Sequence, residues 1–479
     1  MGSISFAISR PHGSVAVGIR PRGWQQRLLE LLRRRLLTAA PGHCTDVLIH
    51  AGPGAGKTLG SLHAFLQLRQ GQQLSGICIC CHRSSISNQW HSAAKKLGLD
   101  LGEGQMGPHG LILSYQAAGR DPKHWQQLLQ SRWPLQQWLV VADEVHHLGL
   151  NPQQPEEGGW GKSFEELSDG VKLRLGLTGT PFRADQLQFC SSRQKLLTIE
   201  GVPQRVITPD LVVTPQELIS SGDVRPLRFH FQDGWIEYEN SDRSALSTEH
   251  RESWRARNLR QAVRLGDSSS IALQVLLQAR RRREALQQQQ PGAAGLVVAR
   301  DITHARGIAG LLEEQGDRVI LVHSQDPSAA EALKNFQNGE GEWLVSVDMC
   351  AEGFDAPRLR VVAYLTTVTT RSRFLQAITR AVRLDGSRSA LEPMPRHPSY
   401  VHAPADPLLM AYASNWSLSF PYLLAEASVE ETCVEQASGS GNWRLEQRAI
   451  ADAAGAVIEL KGPQLPRFLA SRTTSVTFG

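Results

Sequence analysis

Residues 46–58, Asp-Val-Leu-Ile-His-Ala-Gly-Pro-Gly-Ala-Gly-Lys-Thr, constrain this chain more than any other stretch. An apolar strand, Val47–Ile49, runs into a glycine-rich loop that ends in Lys57-Thr58 and opens a helix. Backbone N–H groups along such a loop point inward and, with the helix N-terminus, cradle phosphate oxygens. Gly52, Pro53, Gly54, Ala55 and Gly56 would wrap the phosphates, Lys57 would reach the β- and γ-phosphates as a point charge, and the Thr58 hydroxyl would ligate Mg²⁺. The generic loop begins with glycine; here that position is Ala51.

From Val47 to Val213 apolar strands alternate with amphipathic or polar stretches, which indicates a parallel sheet covered by helices. The strands expected are Val47–Ile49, Ile77–Cys81, Leu111–Ser114, Trp138–Ala142 and Leu173–Leu177. The alternation lapses from Pro215 to Pro291. That segment holds a short polar strand-like piece, Arg228–Tyr238, then arginine-rich helical sequence ending in Gln287–Gln290 and Pro291-Gly292, and reads as a helical connector closed by a flexible link. A second series follows, with strands at Gly295–Ala299, Arg318–His323, Trp343–Val347 and Leu359–Leu365 and helices at Thr303–Gln315 and Ser328–Gln337. The expected division is a first α/β domain at 1–214, the connector at 215–291, a second α/β domain without its own phosphate loop at 292–436, and a short tail at 437–479.

Composition narrows the class. With 41% hydrophobic and 20% charged residues the chain can bury several cores. No apolar run is long enough for a membrane span, and Met1–Arg22 lacks a secretion pattern, so the expected location is the reducing cytoplasm and no membrane partner is expected. Cys78, Cys80 and Cys81 lie in an apolar run that reads as a packed strand rather than a metal site. The net charge of +5 permits a polyanionic partner. Basic clusters at Arg33–Arg35 and Arg280–Arg283 fit either a solvated helix face or a phosphate track.

Two further motifs carry chemistry. In Trp138-Leu-Val-Val-Ala-Asp-Glu-Val-His-His147 an apolar strand delivers two adjacent carboxylates at its C-terminal end, where open α/β sheets bind ligands. Hydrolysis of a nucleoside triphosphate needs one carboxylate on Mg²⁺ and another to orient the attacking water; Asp143 fits the first role and Glu144 the second. Adjacent His146 and His147 lack the spacing of a zinc pair on one helical face. Leu177-Thr-Gly-Thr-Pro-Phe-Arg183 ends another buried strand, and the hydroxyls of Thr178 and Thr180 can hydrogen-bond the acidic motif and couple to its occupancy, with His147 beside it.

With these three motifs in order, the chain resembles superfamily 2 helicases, in particular the branch of type III restriction helicase subunits and the XPB-like and RecG-like translocases. The likeness runs from about Arg20 to Arg383. It implies two tandem RecA-like domains, α/β with parallel sheets flanked by helices, and an ATP site in the inter-domain cleft using ATP and Mg²⁺. It also implies further residues. Gln25, in Arg22-Gly-Trp-Gln-Gln26, would read adenine, with Gly23 in place of the usual proline. Arg83, Ser84 and Gln89 match a backbone-binding element, as do Ser114, Tyr115 and Gln116. Arg300, His323 and Ser324 fall on the corresponding track of the second domain, and Glu352, Gly353 and Asp355 would sit between nucleotide and nucleic acid. Phe374–Arg383 resembles the arginine motif that reaches the triphosphate from the second domain. On a helix Gln376, Arg380 and Arg383 would share one face, although Thr379 replaces the family glycine.

The implied function is an ATP-driven translocase or helicase on nucleic acid, DNA rather than RNA. Two alternatives stay open: an ATPase motor for a nuclease-bearing protein partner in a restriction, defence or repair system, and a low-turnover, nucleotide-gated clamp.

Overall fold

In a computed structural model the described residues are 21–38, 44–52, 54–148, 158–179, 194–199, 202–238, 270–347, 354–384, 392–416, 422–424 and 449–461. Pro53, Thr180 and Gly353, all expected at the site, lie outside them, as does Glu352.

The first sheet has seven strands: β1 (Thr45–Ala51), β2 (Gly76–Cys81), β3 (Gly102–Glu103), β4 (Gly110–Ser114), β5 (Trp138–Asp143), β6 (Leu173–Thr178) and β9 (Leu211–Val213). Their order is β3-β4-β2-β5-β6-β1-β9, and every pairing is parallel. β2 and β5 are buried along their whole length, because helices cover both faces, and this is why they read as continuous apolar runs. Cys78 and Cys81 have the spacing of a redox or metal pair. The strand turns them into different core clusters, so they pack. Between β6 and β9, β7 (Gln194–Ile199) and β8 (Val202–Ile207) form an antiparallel hairpin joined at its edge by β16 (Tyr422–Leu424).

The second sheet also has seven strands: β10 (Leu227–Tyr238), β11 (Ala294–Ala299), β12 (Val319–Val322), β13 (Trp343–Ser346), β14 (Leu359–Leu365), β15 (Ser399–Pro404) and β17 (Ala449–Lys461). Their order is β12-β13-β11-β14-β15-β10-β17, parallel except for the antiparallel edge strand β17. The chain is thus two RecA-like α/β units in tandem.

This corrects the expected division. The segment 215–291 is no connector: it supplies β10 and the helix Ser270–Gln289, which packs on β10, β14, β15 and β17. The tail at 437–479 supplies β17. The physical reason is polarity. The face of β10 beneath that helix carries His230 and Gln232; His230 stacks on His402 at 4.8 Å, and Gln232 accepts from Gln278 Nε2 at 2.7 Å. The arginine cluster is structural as well: Arg280 and Arg283 pair with Asp317 at 2.6 and 2.7 Å, and Arg282 lies over the Tyr400 ring. Among the described residues no helix is long and apolar enough to cross a membrane.

Candidate active site

β6 lies between β1 and β5, so three loops leave one edge of the first sheet side by side, with His50 opposite Thr178 and Asp143 opposite Leu177. Gly54 and Gly56 take φ of 78° and 82°, left-handed values that a glycine adopts without strain, and Gly56 caps the helix Lys57–Gln70. Ala55 is buried under the loop and Thr58 sits in the first turn. Lys57 Nζ donates to Glu144 Oε1 at 3.2 Å and to the Ala51 carbonyl at 3.3 Å, while Glu144 Oε2 accepts from Gly179 N–H at 3.2 Å. A Cβ at position 179 would stand 2.6 Å from Lys57 Nζ, so a larger residue there would displace the Lys57 ammonium from its place. Glu144 itself sits at φ 49°, a left-handed backbone that aims its carboxylate across the loop. Burial, reinforced by the Lys57 charge, brings the His50 imidazole down to about 4.

Asp143 is buried behind this ring. Its Oδ2 accepts from Trp90 Nε1 at 2.7 Å, its Oδ1 accepts from Glu144 N–H at 3.1 Å, and its carbonyl accepts from the Tyr115 hydroxyl at 2.8 Å. Burial first, and the Glu144 charge second, push its carboxyl up to about 6 against the pull of Lys57 and these donors. Two crowded carboxylates facing one ammonium suit a hard divalent cation. Mg²⁺ takes one or two protein oxygens and fills the rest of its octahedron with water and phosphate. Asp143 and Thr58 are the residues that would hold it.

Gln25 grips the loop. Its Nε2 donates to the Gly56 carbonyl at 3.0 Å, its Oε1 accepts from Arg22 N–H at 2.9 Å, and Trp24 Nε1 donates to the Ala55 carbonyl at 2.9 Å. Arg22, which the motif match did not single out, donates to the Gly54 carbonyl at 2.6 Å and pairs with Asp223 at 3.3 Å.

The second domain reaches the same loop. A Cβ on Gly54 would lie 3.6 Å from both Arg383 Cγ and Val382 Cγ2. The expected single helical face is corrected: the helix Arg371–Ile378 ends before the arginines, and bonds from Arg380 N–H to Ala377 and from Ala381 N–H to Ile378 tighten the chain into a turn. Gln376 stays on the helix, half-buried. Arg380 turns inward and donates to the Phe354 carbonyl at 2.6 Å; Arg383 pairs with Asp355 at 3.2 Å. The buried Arg383 Nε has no hydrogen-bond partner among the described residues, a donor suited to an incoming phosphate oxygen. Thr379 fits without crowding, its hydroxyl donating to the Leu375 carbonyl at 2.6 Å.

The expected nucleic-acid residues divide. Cys81 and Ser114 are register partners, so Arg83 and Ser84 after β2 lie beside Gln116 after β4, all exposed at the sheet's C-terminal edge, with Gln89 half-buried one turn on. Ser114 accepts from Ala117 N–H as a helix cap. Tyr115 is corrected: at 1% exposure it braces Asp143 and offers nothing to a backbone. Arg300 is engaged with Asp301 at 2.6 Å, and His323 and Ser324 follow β12 at the corresponding edge of the second sheet. His147 stacks on His82, ring centroids 3.9 Å apart, which joins the acidic motif to the Arg83 strand end.

Residues 18–183 match the family described as the res subunit of type III restriction enzymes, and residues 274–385 match the helicase conserved C-terminal domain. An uncharacterized protein of Mycobacterium tuberculosis is 31% identical over 375 residues, covering 76% of this chain and 59% of its own length. One of Mycobacterium leprae is 29% identical over 427 residues, covering 86% of this chain and 66% of its own. The chain thus spans less than two thirds of the length of these curated relatives. Among solved structures, a Vibrio vulnificus fragment provisionally assigned as the HsdR subunit of a type I restriction enzyme is similar at 18% identity and TM-score 0.49, covering 84% of this chain and 67% of that one. The Pyrococcus furiosus Hef helicase domain is similar at 14% and 0.45, covering 82% and 97%. The two family matches together take in more than half of the chain and fall on its two sheets, one on the phosphate-loop half and one on the arginine half: the chain belongs to the superfamily 2 helicases, on the branch that carries the type III restriction res-subunit domain.

Proposed function

We propose that this chain is an ATP-dependent nucleic-acid translocase or helicase that acts on DNA. The observation that carries the reading is the ring of Lys57, Glu144 and Gly179 with Arg383 packed against the same loop at Gly54. Lys57 would move from Glu144 to the terminal phosphates, Thr58 and Asp143 would hold Mg²⁺ to neutralise developing charge, and the released Glu144 would orient the attacking water. Arg383, with Gln376 and Arg380, would answer from the second domain. Closing and reopening of the seam would then shift the exposed strand-end residues Arg83, Ser84 and Gln116 relative to Ser324 along a phosphate backbone. Contacts of that kind are sequence-independent and weaken with salt.

Steady-state ATPase on single-stranded, duplex and branched DNA and on RNA tests this. Wild-type turnover should rise with DNA, and Lys57→Ala and Glu144→Gln should abolish it. Normal turnover in either purified variant would sink the assigned roles, and stimulation by RNA alone would reverse the choice of polymer.

A second reading follows from the res-subunit match: a motor that separates no strands by itself and serves a nuclease-bearing partner. Strand displacement by the isolated protein would exclude it.

A further inference from the structure

Three consecutive residues before β10 each hold a different part of the site. The Asp223 carboxylate pairs with Arg22 Nε, its carbonyl accepts from Arg22 Nη2 at 3.3 Å, and Arg22 reaches on to the phosphate loop at Gly54. Val224 packs on that loop, its Cγ1 only 3.1 Å from where a Gly54 Cβ would be. Arg225 reaches the other way. Its N–H donates to the Val382 carbonyl at 2.9 Å, and its Nη1 lies 2.7 Å from the Arg383 carbonyl, 3.0 Å from that of Pro357 and 3.4 Å from that of Ala381. Nε and Nη2 grip the Glu392 carboxylate at 2.9 and 2.5 Å.

The Arg225 side chain is 0% exposed. A buried cation persists only where every donor is answered, and a planar guanidinium can serve several carbonyls at fixed angles where an ammonium cannot. What it answers is specific. The carbonyls of Ala381 and Arg383 belong to the turn bearing Arg380 and Arg383. The Pro357 carbonyl ends the segment holding Phe354 and Asp355, to which those two arginines are tied. The turn that carries the second domain's arginines and the segment to which they are tied therefore both meet Arg225, with Ser399 as a second donor to the Ala381 carbonyl at 2.8 Å, and the two residues before Arg225 lock it to the phosphate loop.

We propose that Arg225, ion-paired with Glu392, is a positioning residue for ATP hydrolysis: it sets the turn that presents Arg380 and Arg383 to the phosphate loop, and Asp223–Arg225 is the clasp joining the two halves of the site. This rests on the ATPase reading above. A residue that acts through the arginines must lose most of its effect when Arg383, the one packed on the phosphate loop, is gone, whereas one that merely supports the fold must not.

The test uses the full chain and four variants: Arg225→Lys, Glu392→Gln, Arg383→Ala, and Arg225→Lys combined with Arg383→Ala. kcat is read at saturating DNA, and the dissociation constant of a fluorescent ADP analogue is read separately. Arg225→Lys should lower kcat about tenfold or more while ADP binding, which the first domain's own residues supply, stays within about twofold. In the combined variant Arg225→Lys should add less than about threefold to the loss from Arg383→Ala. Should Arg225→Lys not fold, Glu392→Gln, which keeps the guanidinium and the carboxyl volume, should show the same split at about three- to fivefold. Wild-type kcat in the folded Arg225 or Glu392 variant, or fully multiplicative losses in the combined one, would overturn the clasp. Absence of ATPase in the wild type would instead overturn the reading beneath it.

Discussion

Trp90 holds the carboxylate on which Mg²⁺ would depend, and Trp90→Phe isolates that hold. The ring is fully buried and its Nε1–H lies 2.7 Å from Asp143 Oδ2. Phenylalanine keeps an aromatic ring and removes the donor. A hydrogen bond to a charged acceptor is worth about 1.5–3 kcal/mol, and one pKa unit corresponds to about 1.4 kcal/mol. Asp143 already stands at about 6 because of burial and Glu144, so the variant should carry it roughly one to two units higher. At pH 7 the ionised fraction would fall from about nine-tenths to between about one-tenth and one-half. The assay is kcat/KM for ATP against pH at fixed Mg²⁺, because that ratio reports the free enzyme's ionisations. The wild-type acid limb should fall near pH 6, the variant's should lie about one to two units higher, and the two should converge by about pH 9. Core shrinkage should also cost roughly 1–3 kcal/mol of stability, so the profiles belong well below the melting transition. An unmoved limb, or a loss equal at every pH, would refute the reasoning.

Two further outcomes follow from buried groups. Thr379→Gly removes the hydroxyl that donates to the Leu375 carbonyl and frees the backbone at a helix end; it should cost about 1 kcal/mol on thermal melting and leave kcat no higher. A rise in kcat would mean that Thr379 does crowd the seam. Burial lowers His402 to about 3 and His50 to about 4, so the folded chain prefers both neutral, and their contribution is lost as pH falls below 6.5. Asp143, raised to about 6, opposes this between about 6 and 4, but one carboxyl works against two imidazoles. The melting temperature should therefore drop from pH 6.5 downward, each histidine adding at most about 1.4 kcal/mol per pH unit, and His402→Gln should flatten the slope. An unchanged acid slope in that variant would exclude His402 as a cause.

What the sequence could disclose was set by which physics leaves a local mark. A strand buried on both faces must be largely apolar, so β2, β5 and the buried stretches of β1 and β6 could be read directly, and a phosphate cradle needs glycines at fixed spacing. β10 reads as a polar strand-like piece but not as a member of the second sheet, because its helix-covered face pairs His230 and Gln232 with polar partners far along the chain, and β17 is alanine-rich. The motif at Gln376–Arg383 disclosed its residues but not its geometry. A tightened turn after Ile378 sends Arg380 inward, which periodicity alone does not anticipate. Arg225 belongs to no motif, and the likeness that places Trp90 and Tyr115 in backbone-binding elements does not disclose their hold on Asp143. The roles of all three consist wholly of contacts to residues 28 to 167 positions away.

The conformation described already answers the cations that a triphosphate would need: Lys57 by Glu144, Arg383 by Asp355 and Arg380 by the Phe354 carbonyl. Nucleotide entry must exchange the first of these pairs, and the exchange would do two things at once, since the Lys57 that turns to phosphate releases the Glu144 that serves water. On the proposed reading the protein's own carboxylate would compete with ATP for Lys57. Glu144→Gln weakens the competitor without disturbing the cradle. The pair is partly solvated, its side chains 13% and 28% exposed, so its worth is about 1 kcal/mol, or roughly a fivefold change in affinity. The variant should therefore bind a fluorescent ATP analogue a few times more tightly than wild type while failing to hydrolyse ATP, a trapped state measurable by equilibrium titration. Equal or weaker affinity would mean that the Lys57–Glu144 contact does not restrain the site, and that release of the general base is not linked to nucleotide capture.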